Sequence, residues 1–529
     1  MYKYKDFLLF FCAIAVLLLW FLFPVSFDNN DDQTMYAICS GMISGTSSSG
    51  ILLSHVFIGR FLTAAFSFSK KINWYTLYLQ GALLFSFLYV CRFFIRKNAT
   101  SFLTILFVVL IVFLGFYSLA IVKLQFTTVA LFCCFSALFS LQSDDKPPIK
   151  ISSAIFFLAV AILIRKDVFY VFLLFCIPLF FAKKSSRHSI RETGLTLLFA
   201  VLFFAASVWL NNSNETYRQY STYSNVQALD MIAARPVKVE ETKLKEYGFS
   251  LNDISLLQSW LVADDAYLSG EKMLRLAKGL KAYRGPAEIM TELKKFVTDE
   301  RYLLMLYLLT ILFIVVFAPD VRNSSIANLL LFSVFLLFLT VMSRIPHRVT
   351  FPILTYLILL NVASMSDLER KSSVQAVAMT SLLLLSGYKF YCTAKLIPVH
   401  KENHIVFDAC KAEINAHPQS LFIAADGFPL QYMDAWQTPE NAFSAHNLIL
   451  GGWYACTPDY QAVLKLKGLR NITSAMLPVK QQVYFLTDSQ VLQDSYIQVM
   501  RERYHIKCHF EAQYDGFKVL RPKRLVFDN

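Results

Sequence analysis

The sequence predicts a polytopic α-helical membrane protein with a C-terminal soluble α/β domain. The 529-residue chain is 56% hydrophobic and only 16% charged, whereas soluble domains carry about 25% charged residues. Its 49 Phe residues recur in long uncharged runs. The formal charge of +13 is carried mainly by short clusters of Lys and Arg between those runs. That distribution orients membrane proteins, so we expect a lipid bilayer and no nucleic acid as partner.

Long apolar runs predict about eleven membrane spans, because a helix needs about 20 residues to cross the hydrocarbon core. The predicted spans are 7–25, 75–95, 102–121, 126–142, 151–164, 168–182, 193–210, 302–318, 326–343, 350–365 and 375–397. The first run is longer than the apolar core of a signal peptide and no A-x-A-like site follows, so we interpret it as an uncleaved span. The pair 151–164 and 168–182, separated by "RKD", is alternatively one broken or re-entrant helix.

The basic residues of the short loops predict a cytoplasmic N-terminus. Roughly 14 Lys and Arg residues fall on the predicted cytoplasmic side and roughly 8 on the other, the bias expected of an inner-membrane protein. This orientation divides the chain into a transmembrane domain, 1–397, and an extracytoplasmic α/β domain, 398–529. It also places the first outer loop, 26–74, and the long outer loop, 211–301, outside the cytoplasm.

The sequences of the extramembrane segments predict helices and strands. Loop 211–301 is predicted to be mostly helical, with Ser250 or Asn252 as an N-cap and Pro286 starting another helix. In the C-terminal region, "SLFIAAD", "QQVYFLTD", "IKCHFEA" and "GFKVLRP" predict strands, and "SQVLQDSYIQVMRERY" predicts a helix. Asp515-Gly516 is a hairpin signal between the last two strands.

Two adjacent acids, Asp31 and Asp32, follow the first span. At the start of a helix, one of them would cap the helix and the other would face a cavity. A carboxylate at a membrane–water boundary acts as a general base toward a hydroxyl or binds a divalent cation such as Mg²⁺ or Mn²⁺. The alternative is a solvated polar loop, since the positive-inside rule leaves acids free on the outer side. The ten cysteines have no C-x-x-C spacing and support no further metal site.

The rest of the first outer loop predicts a helix lying in the membrane interface. After the flexible "SGMISGTSSSG", the segment "ILLSHVFIGRFLTAAFSF" is apolar and amphipathic, with His55 and Arg60 embedded. Trp74, Tyr75 and Tyr78 then fit an interfacial aromatic belt. The alternative for His55 is a packed or interfacial histidine with no ligand.

Basic residues on the predicted outer side go against the overall bias and therefore need a specific explanation. They are Arg165, Lys166, Arg344, His347 and Arg348. Arg offers paired hydrogen bonds to a phosphate and Lys a point charge. The alternatives are snorkelling to lipid headgroups and local pairing, such as that of Arg165 with Asp167.

These features together resemble a known superfamily. The acid pair followed by "MYAICSGMISGTSSSGILLSHVFIGRFL" resembles the GT-C polytopic glycosyltransferases, and more closely a poorly characterised bacterial group with a D-D…S-G…T-G pattern in this loop. "QFTTVALF", "IRKDVFYV", "KEYGFSLNDISLLQSWLVADD" and "RIPHRVTFPIL" extend the resemblance over roughly residues 1–370. The T-G step is absent, because Thr46 is followed by "SSSG".

The resemblance implies a GT-C-like transmembrane fold and an inverting glycosyltransferase at the outer face of a bacterial cytoplasmic membrane. The donor would be a polyprenyl-phosphate sugar and the acceptor a cell-envelope glycan, lipid or protein. Asp31 or Asp32 would be the base, and would hold a divalent cation where one is used. The outer basic residues, together with His55 and Arg60, would bind substrate and lipid phosphate.

Two other functions share parts of this pattern. An O-antigen-type polymerase or ligase also combines many spans, a long outer loop and outward arginines, but it is expected to depend on later basic residues rather than on the early acid pair. A flippase or transporter is disfavoured by the few ionisable residues in span centres and by the large extramembrane segments.

The topology has a direct test. Alkaline phosphatase fused after His400 should be active, because this enzyme matures only outside the cytoplasm, and the same reporter fused after Arg370 should be inactive. The reverse pattern, or a cytoplasmic signal from both fusions, would contradict the predicted orientation.

Overall fold

A computed structural model describes residues 23–97, 102–181, 187–214, 241–261, 286–317, 319–342, 345–365, 372–425, 428–441, 446–473, 482–513 and 516–528, with a few single positions between them. Most of these residues are helical. In chain order the helices are α1 (Asn30–Ser40), α2 (Val56–Phe68), α3 (Trp74–Lys97), α4 (Phe102–Val112), α5 (Ser118–Val122), α6 (Phe126–Leu141), α7 (Pro147–Ile164), α8 (Val168–Phe181), α9 (Arg187–Ser213), α10 (Glu241–Glu246), α11 (Leu251–Gln258), α12 (Pro286–Asp299), α13 (Arg301–Phe317), α14 (Pro319–Met342), α15 (His347–Met365), α16 (Ser372–Ala394), α17 (Leu396–Ala416), α18 (Pro458–Leu466) and α19 (Gln490–Tyr504). A π-turn, Phe113–Tyr117, joins α4 to α5.

Six described helices are long and apolar enough to cross a membrane. They are Trp74–Lys97, Ile105–Val122, Pro147–Ile164, Ile190–Ser213, Arg322–Val341 and His347–Met365. A seventh is counted if α12 and α13, which meet at a bend of 78°, form one span. The predicted spans 126–142 and 168–182 are shorter apolar helices, and most of the predicted span 7–25 lies outside the described residues. The count of eleven therefore stays a prediction.

The strands form two sheets. They are β1 (Ser26–Phe27), β2 (Lys123–Leu124), β3 (Ser420–Ala424), β4 (Leu448–Leu450), β5 (Gln482–Leu486), β6 (Cys508–Ala512) and β7 (Lys523–Phe527). The short strands β1 and β2 pair in parallel. The other five form one sheet in the order β4-β3-β5-β7-β6, in which β4, β3 and β5 are parallel and β7 is antiparallel to both neighbours.

The chain divides into two compact units that do not follow the predicted linear domains. The membrane unit comprises Met1–Asp28, Thr76–Val208 and Arg284–Lys401. The soluble unit comprises Asn29–Tyr75, Trp209–Tyr283 and Glu402–Asn529. The segments that the sequence presents as two outer loops and a tail are therefore parts of one folded body.

The membrane unit is organised around α6, whose residues are all buried. The Ser86 hydroxyl lies 2.8 Å from both the Tyr117 hydroxyl and the Ser136 hydroxyl, which joins three helical segments. The rings of Phe135 and Tyr356 stack with their centroids 4.6 Å apart. Because lipid offers no hydrophobic gain between helices, close packing and such hydrogen bonds hold the bundle together.

The first outer loop is fixed to the C-terminal region by side chains that bind backbone groups. The Asn73 amide donates to the carbonyls of Ala435 at 2.7 Å and Gln437 at 2.9 Å. The Tyr36 hydroxyl also donates to the Gln437 carbonyl, at 2.6 Å. Asn73 and Tyr36 are both buried, so these bonds would be costly to leave unmade.

The long outer loop contributes α11 to the same body. Ser250 caps this helix in a capping box with Asp253, which settles the choice between Ser250 and Asn252. The Arg503 guanidinium on α19 binds the Asp253 carboxylate, with Nη2 at 2.5 Å from Oδ2 and Nε at 3.3 Å from Oδ1. The Trp260 carbonyl accepts from the Gly452 N–H at 2.6 Å, just after β4.

One predicted strand is wrong, and the structure gives the reason. Strand β7 begins at Lys523, so "GFKVLRP" lies in the connection between β6 and β7. The N–H groups of Lys518, Val519 and Leu520 instead donate to the Glu413 carboxylate on α17, at 2.5, 2.8 and 2.8 Å. The Glu413 side chain thus takes the place of the neighbouring strand that the prediction implied. The start of a helix at Pro286 is confirmed.

The pair of Asp253 and Arg503 gives a stability prediction. The Asp253 side chain is 2% exposed, and Arg503→Met would leave its carboxylate buried without a cation, at a cost of about 3–5 kcal/mol. We expect the melting temperature of the detergent-purified protein to fall by roughly 10 °C. Arg501→Met, an exposed position on the same helix, should leave it nearly unchanged; equal effects of the two variants would contradict the role of the ion pair.

Candidate functional site

The acid pair lies in the first turn of α1, in the soluble unit. The Asn29 side chain caps this helix by accepting from the Asp31 N–H at 3.1 Å. The expectation that one of the two aspartates is the cap is therefore wrong, because the asparagine before them takes this place. Both aspartates nevertheless lie in the first turn, at the positive end of the helix dipole.

The two aspartates have different surroundings. Asp32 has no exposed surface, and its Oδ1 accepts from the Tyr75 hydroxyl at 2.8 Å. Tyr75 is itself 1% exposed, so it is not part of an interfacial aromatic belt. Asp31 is half-buried, so its carboxylate is the one of the pair that a substrate can reach.

A tryptophan just after strand β4 orients Asp31. The Trp453 indole N–H donates to Asp31 Oδ1 at 3.1 Å, and the Asn29 amide donates to Oδ2 at 3.3 Å. Trp453 follows a two-glycine turn after β4. The φ of Gly452 is +73°, and a Cβ on Gly451 would lie 3.0 Å from the Ala424 carbonyl oxygen. The sequence carried no signal for Trp453, because its partner is 422 residues away.

The glycines of "SGMISGTSSSG" have a packing role. At Gly45, where φ is +80°, a Cβ would lie 2.8 Å from Nε2 of His446, whose Nδ1 is 2.9 Å from the Ile43 carbonyl oxygen. A Cβ on Gly50 would lie 3.2 Å from the ring of Pro458. This segment is therefore closely packed against the C-terminal region rather than free in solution.

A buried carboxyl group completes that packing. Asp459, 1% exposed, accepts from the Tyr454 hydroxyl at 2.6 Å. Burial raises the pKa of Asp459 from its ordinary value of 3.8 to about 6, against the lowering effect of hydrogen bonds from Ser44 and Tyr454.

His55 and Arg60 both belong to α2 and its cap. His55 is buried and its Nδ1 accepts from the Phe57 N–H at 3.1 Å as the N-cap of the helix. Arg60 is exposed. The apolar side chains of Phe57, Phe61 and Phe68 are exposed along the same helix, by 60%, 51% and 86%. The helix thus presents an outward apolar stripe beside a basic group.

In the membrane unit, three sequence segments that carry the resemblance come together. Gln125 caps α6 by accepting from the Thr128 N–H at 2.8 Å. Arg165, between α7 and α8, donates to Thr127 Oγ1 at 2.8 Å, and its guanidinium lies 5.1 Å from the centre of the Phe126 ring. Thr128 Oγ1 donates to the Arg348 carbonyl oxygen at 3.3 Å, at the start of α15.

The same end of the bundle contains an acid, Glu300, that the sequence analysis did not single out. Glu300, between α12 and α13, is 1% exposed; its Oε1 lies 2.6 Å from His347 Nδ1 and accepts from the Thr350 hydroxyl at 2.8 Å. Arg165 Nε is 3.5 Å from Asp167 Oδ2, so the predicted local pairing is present. Lys166 is half-buried in this turn, and Arg344 lies outside the described residues.

Two lysines add to the basic residues at this end of the bundle. We call these residues, Arg165, Lys166, His347 and Arg348 with the two lysines, the basic cluster. Lys123, in β2, is 3.4 Å from Asp28 Oδ1. Lys389, on α16, lies within electrostatic range of both Glu300 and Lys123. An ionisable residue inside a predicted span is a functional candidate by default. The sequence analysis missed Lys389, although its position within the predicted span 375–397 indicates such a candidate.

The described residues offer little to a metal ion. Among them, no group of three or more His, Cys, Asp and Glu side chains lies together as a set of ligands. Asp32 is buried against Tyr75, so the acid pair does not present two carboxylates to one cation. The divalent cation stays a prediction, with Asp31 as its one accessible carboxylate in this pair.

Comparisons with known proteins find distant structural similarity. No family model and no curated protein matches the chain. The crystal structure of ArnT from Cupriavidus metallidurans in the apo state is 11% identical, with 99% of this chain and 98% of that chain covered and a TM-score of 0.41. ArnT from the same organism bound to undecaprenyl phosphate is also 11% identical, with 97% of each chain covered and a TM-score of 0.36. Such distant likeness assigns neither substrate nor activity.

The pKa of Asp459 gives a pH prediction. Because the folded-state value lies above the unfolded one, the folded protein binds the proton more tightly, and the free energy of unfolding falls as pH rises from about 4 to 6. The contribution is about 3 kcal/mol. Asp459→Asn removes this titration, so the melting temperature of the variant relative to wild type should rise across that interval. A difference that stays constant between pH 4 and pH 7 would contradict the assignment.

Proposed function

We propose that the protein is a membrane glycosyltransferase in which Asp31 is the general base. The observation that carries the proposal is the contrast within the acid pair: Asp31 is reachable and held by Trp453 and Asn29, whereas Asp32 is buried. A base must reach the proton that it removes and must be held in position, and only Asp31 satisfies both conditions.

The proposed reaction is a single displacement with inversion. Asp31 accepts the proton of an acceptor hydroxyl as the oxygen of that hydroxyl forms a bond to the anomeric carbon of the donor sugar. The bond between the anomeric carbon and the phosphate oxygen breaks, and the electron pair leaves with polyprenyl phosphate.

The basic cluster of the membrane unit is the proposed site for the lipid phosphate. Arg165 donates to Thr127 and lies beside Asp167, and its planar guanidinium has the geometry that binds a phosphate. Lys389 and Lys123 add positive charge to the residues proposed from the sequence, which are Arg165, Lys166, Arg344, His347 and Arg348. Glu300 would orient His347 rather than bind substrate, since its own oxygen is engaged by the imidazole.

The first outer loop is proposed to contact the bilayer through α2. The exposed Phe57, Phe61 and Phe68, with Arg60 beside them, match a helix that lies in the interface with its aromatic side chains among the lipid headgroups. The acceptor is proposed to be a glycan, lipid or protein of the cell envelope, at the outer face of a bacterial cytoplasmic membrane.

The test is sugar transfer from polyprenyl-phosphate sugars in proteoliposomes. We expect Asp31→Asn to lower kcat by about 10²–10⁴-fold, the usual contribution of a general base. Trp453→Phe keeps the packing but removes the indole donor and should cost about tenfold or less. Asp494→Asn, at an exposed acid on α19, is the matched control and should keep wild-type activity.

Two outcomes would count against the proposal. Undiminished transfer by Asp31→Asn would exclude this residue as the base. Undiminished transfer by Asp31→Asn together with loss of activity in Arg348→Gln would instead favour the polymerase or ligase mechanism that depends on later basic residues.

A further inference from the structure

A pocket lies in the soluble unit at the carboxyl end of the parallel strands. It has a volume of about 340 Å³, within the range of about 300–1,000 Å³ typical of small-molecule sites. Its walls come from four places in the chain: helix α17, the segment after β3, the end of β5 with the segment after it, and the connection between β6 and β7. None of these residues belongs to the candidate site around Asp31.

The topology of the sheet independently marks this place. From β3 the chain first adds β4 on one side and then β5 on the other. The segments that leave β3 and β5 therefore diverge, and open α/β sheets bind ligands in the crevice at such a switch point. Gln431 and Tyr432, after β3, and Thr487 and Asp488, after β5, line the pocket.

One wall of the pocket is fixed in advance. The Glu413 carboxylate accepts the N–H groups of Lys518, Val519 and Leu520, and the pocket is lined by Val519, Leu520 and the next residue, Arg521. A wall held by three hydrogen bonds to a charged group loses little freedom when a ligand binds, which favours affinity.

The lining defines the chemistry of the ligand. Arg521 provides a planar fork for a carboxylate or phosphate, while Asp488 and Gln431 offer oxygen acceptors to hydroxyl groups. Tyr432 supplies an aromatic ring and Val519, 42% exposed, an apolar surface. We propose that this pocket binds an acidic saccharide unit, with its carboxylate or phosphate on Arg521 and its hydroxyls on Asp488 and Gln431.

Binding of a saccharide in this pocket does not require that the protein transfers sugars. The role assigned to that saccharide does require it. If the proposed function is correct, the saccharide is part of the acceptor glycan, which the soluble unit would hold during transfer. This assignment rests on the proposed function, whereas the binding itself can be measured without any activity.

The binding test uses the full-length protein in detergent and saturation-transfer NMR. The probes are galacturonate, glucuronate and glucose 6-phosphate, with galactose, glucose and acetate as controls. We expect the acidic sugars to bind more tightly than the neutral sugars and acetate to bind negligibly. Arg521→Gln should abolish the preference for acidic over neutral sugars, and Asp488→Asn should weaken both classes by about tenfold or more.

The controls distinguish a loss of binding at the pocket from unfolding of the variant. Arg521 and Asp488 are exposed, so neither variant should unfold the protein, and an unchanged melting temperature verifies this. Arg501→Gln, outside the pocket, should bind like wild type. The proposal is overturned if none of the acidic sugars binds, if acetate binds as well as they do, or if both pocket variants bind normally. If the wild-type protein binds the acidic sugars but transfers no sugar, the proposed function is wrong and the proposed binding site is still supported.

Discussion

The hydrogen bond between Tyr75 and Asp32 is the constraint on which the candidate site depends. The two residues are 43 positions apart, and their bond joins the start and the end of the segment Asn29–Tyr75 inside the soluble unit. A buried carboxylate is tolerated only with partners, so this bond also fixes the first turn of α1. With Asp32 fixed, its neighbour Asp31 is held at the surface of the same turn, where Trp453 and Asn29 determine its direction. The position of the accessible acid thus follows from the burial of the inaccessible one.

Local signals in the sequence predicted local structure well. Ser250 and Pro286 mark helix starts because capping and proline geometry are decided within one turn. The apolar runs in "SLFIA" and "QVYFL" likewise match β3 and β5. The strand predicted at "GFKVLRP" is absent, because Glu413, about a hundred residues earlier, binds the backbone groups that a strand would have used.

The candidate site was only partly predictable, for the same reason. The sequence identified Asp31, Asp32 and the outer basic residues, because charged residues are rare in this apolar chain and basic residues are unexpected on its predicted outer side. It did not distinguish the two acids, because the difference lies in Tyr75 and Trp453, which reach them through the fold. Asn29 rather than an aspartate caps α1, a choice among good capping residues that sequence alone leaves open. In the basic cluster, Glu300 was missed because its partner His347 is 47 residues later.

The discontinuity of the soluble unit has a consequence for its biosynthesis. Tyr36, Asp31 and Asp253 find partners in Gln437, Trp453 and Arg503, so the first segment cannot complete its fold when it emerges. At about 5–20 residues per second, the roughly 380 residues between Tyr75 and Trp453 take roughly 20–75 s to synthesise. Through that interval α1, which is buried along nearly its whole length in the finished protein, lacks the partners that the C-terminal region supplies. The protein must therefore keep an unfinished acid-bearing segment from aggregating while most of the membrane helices are still being inserted.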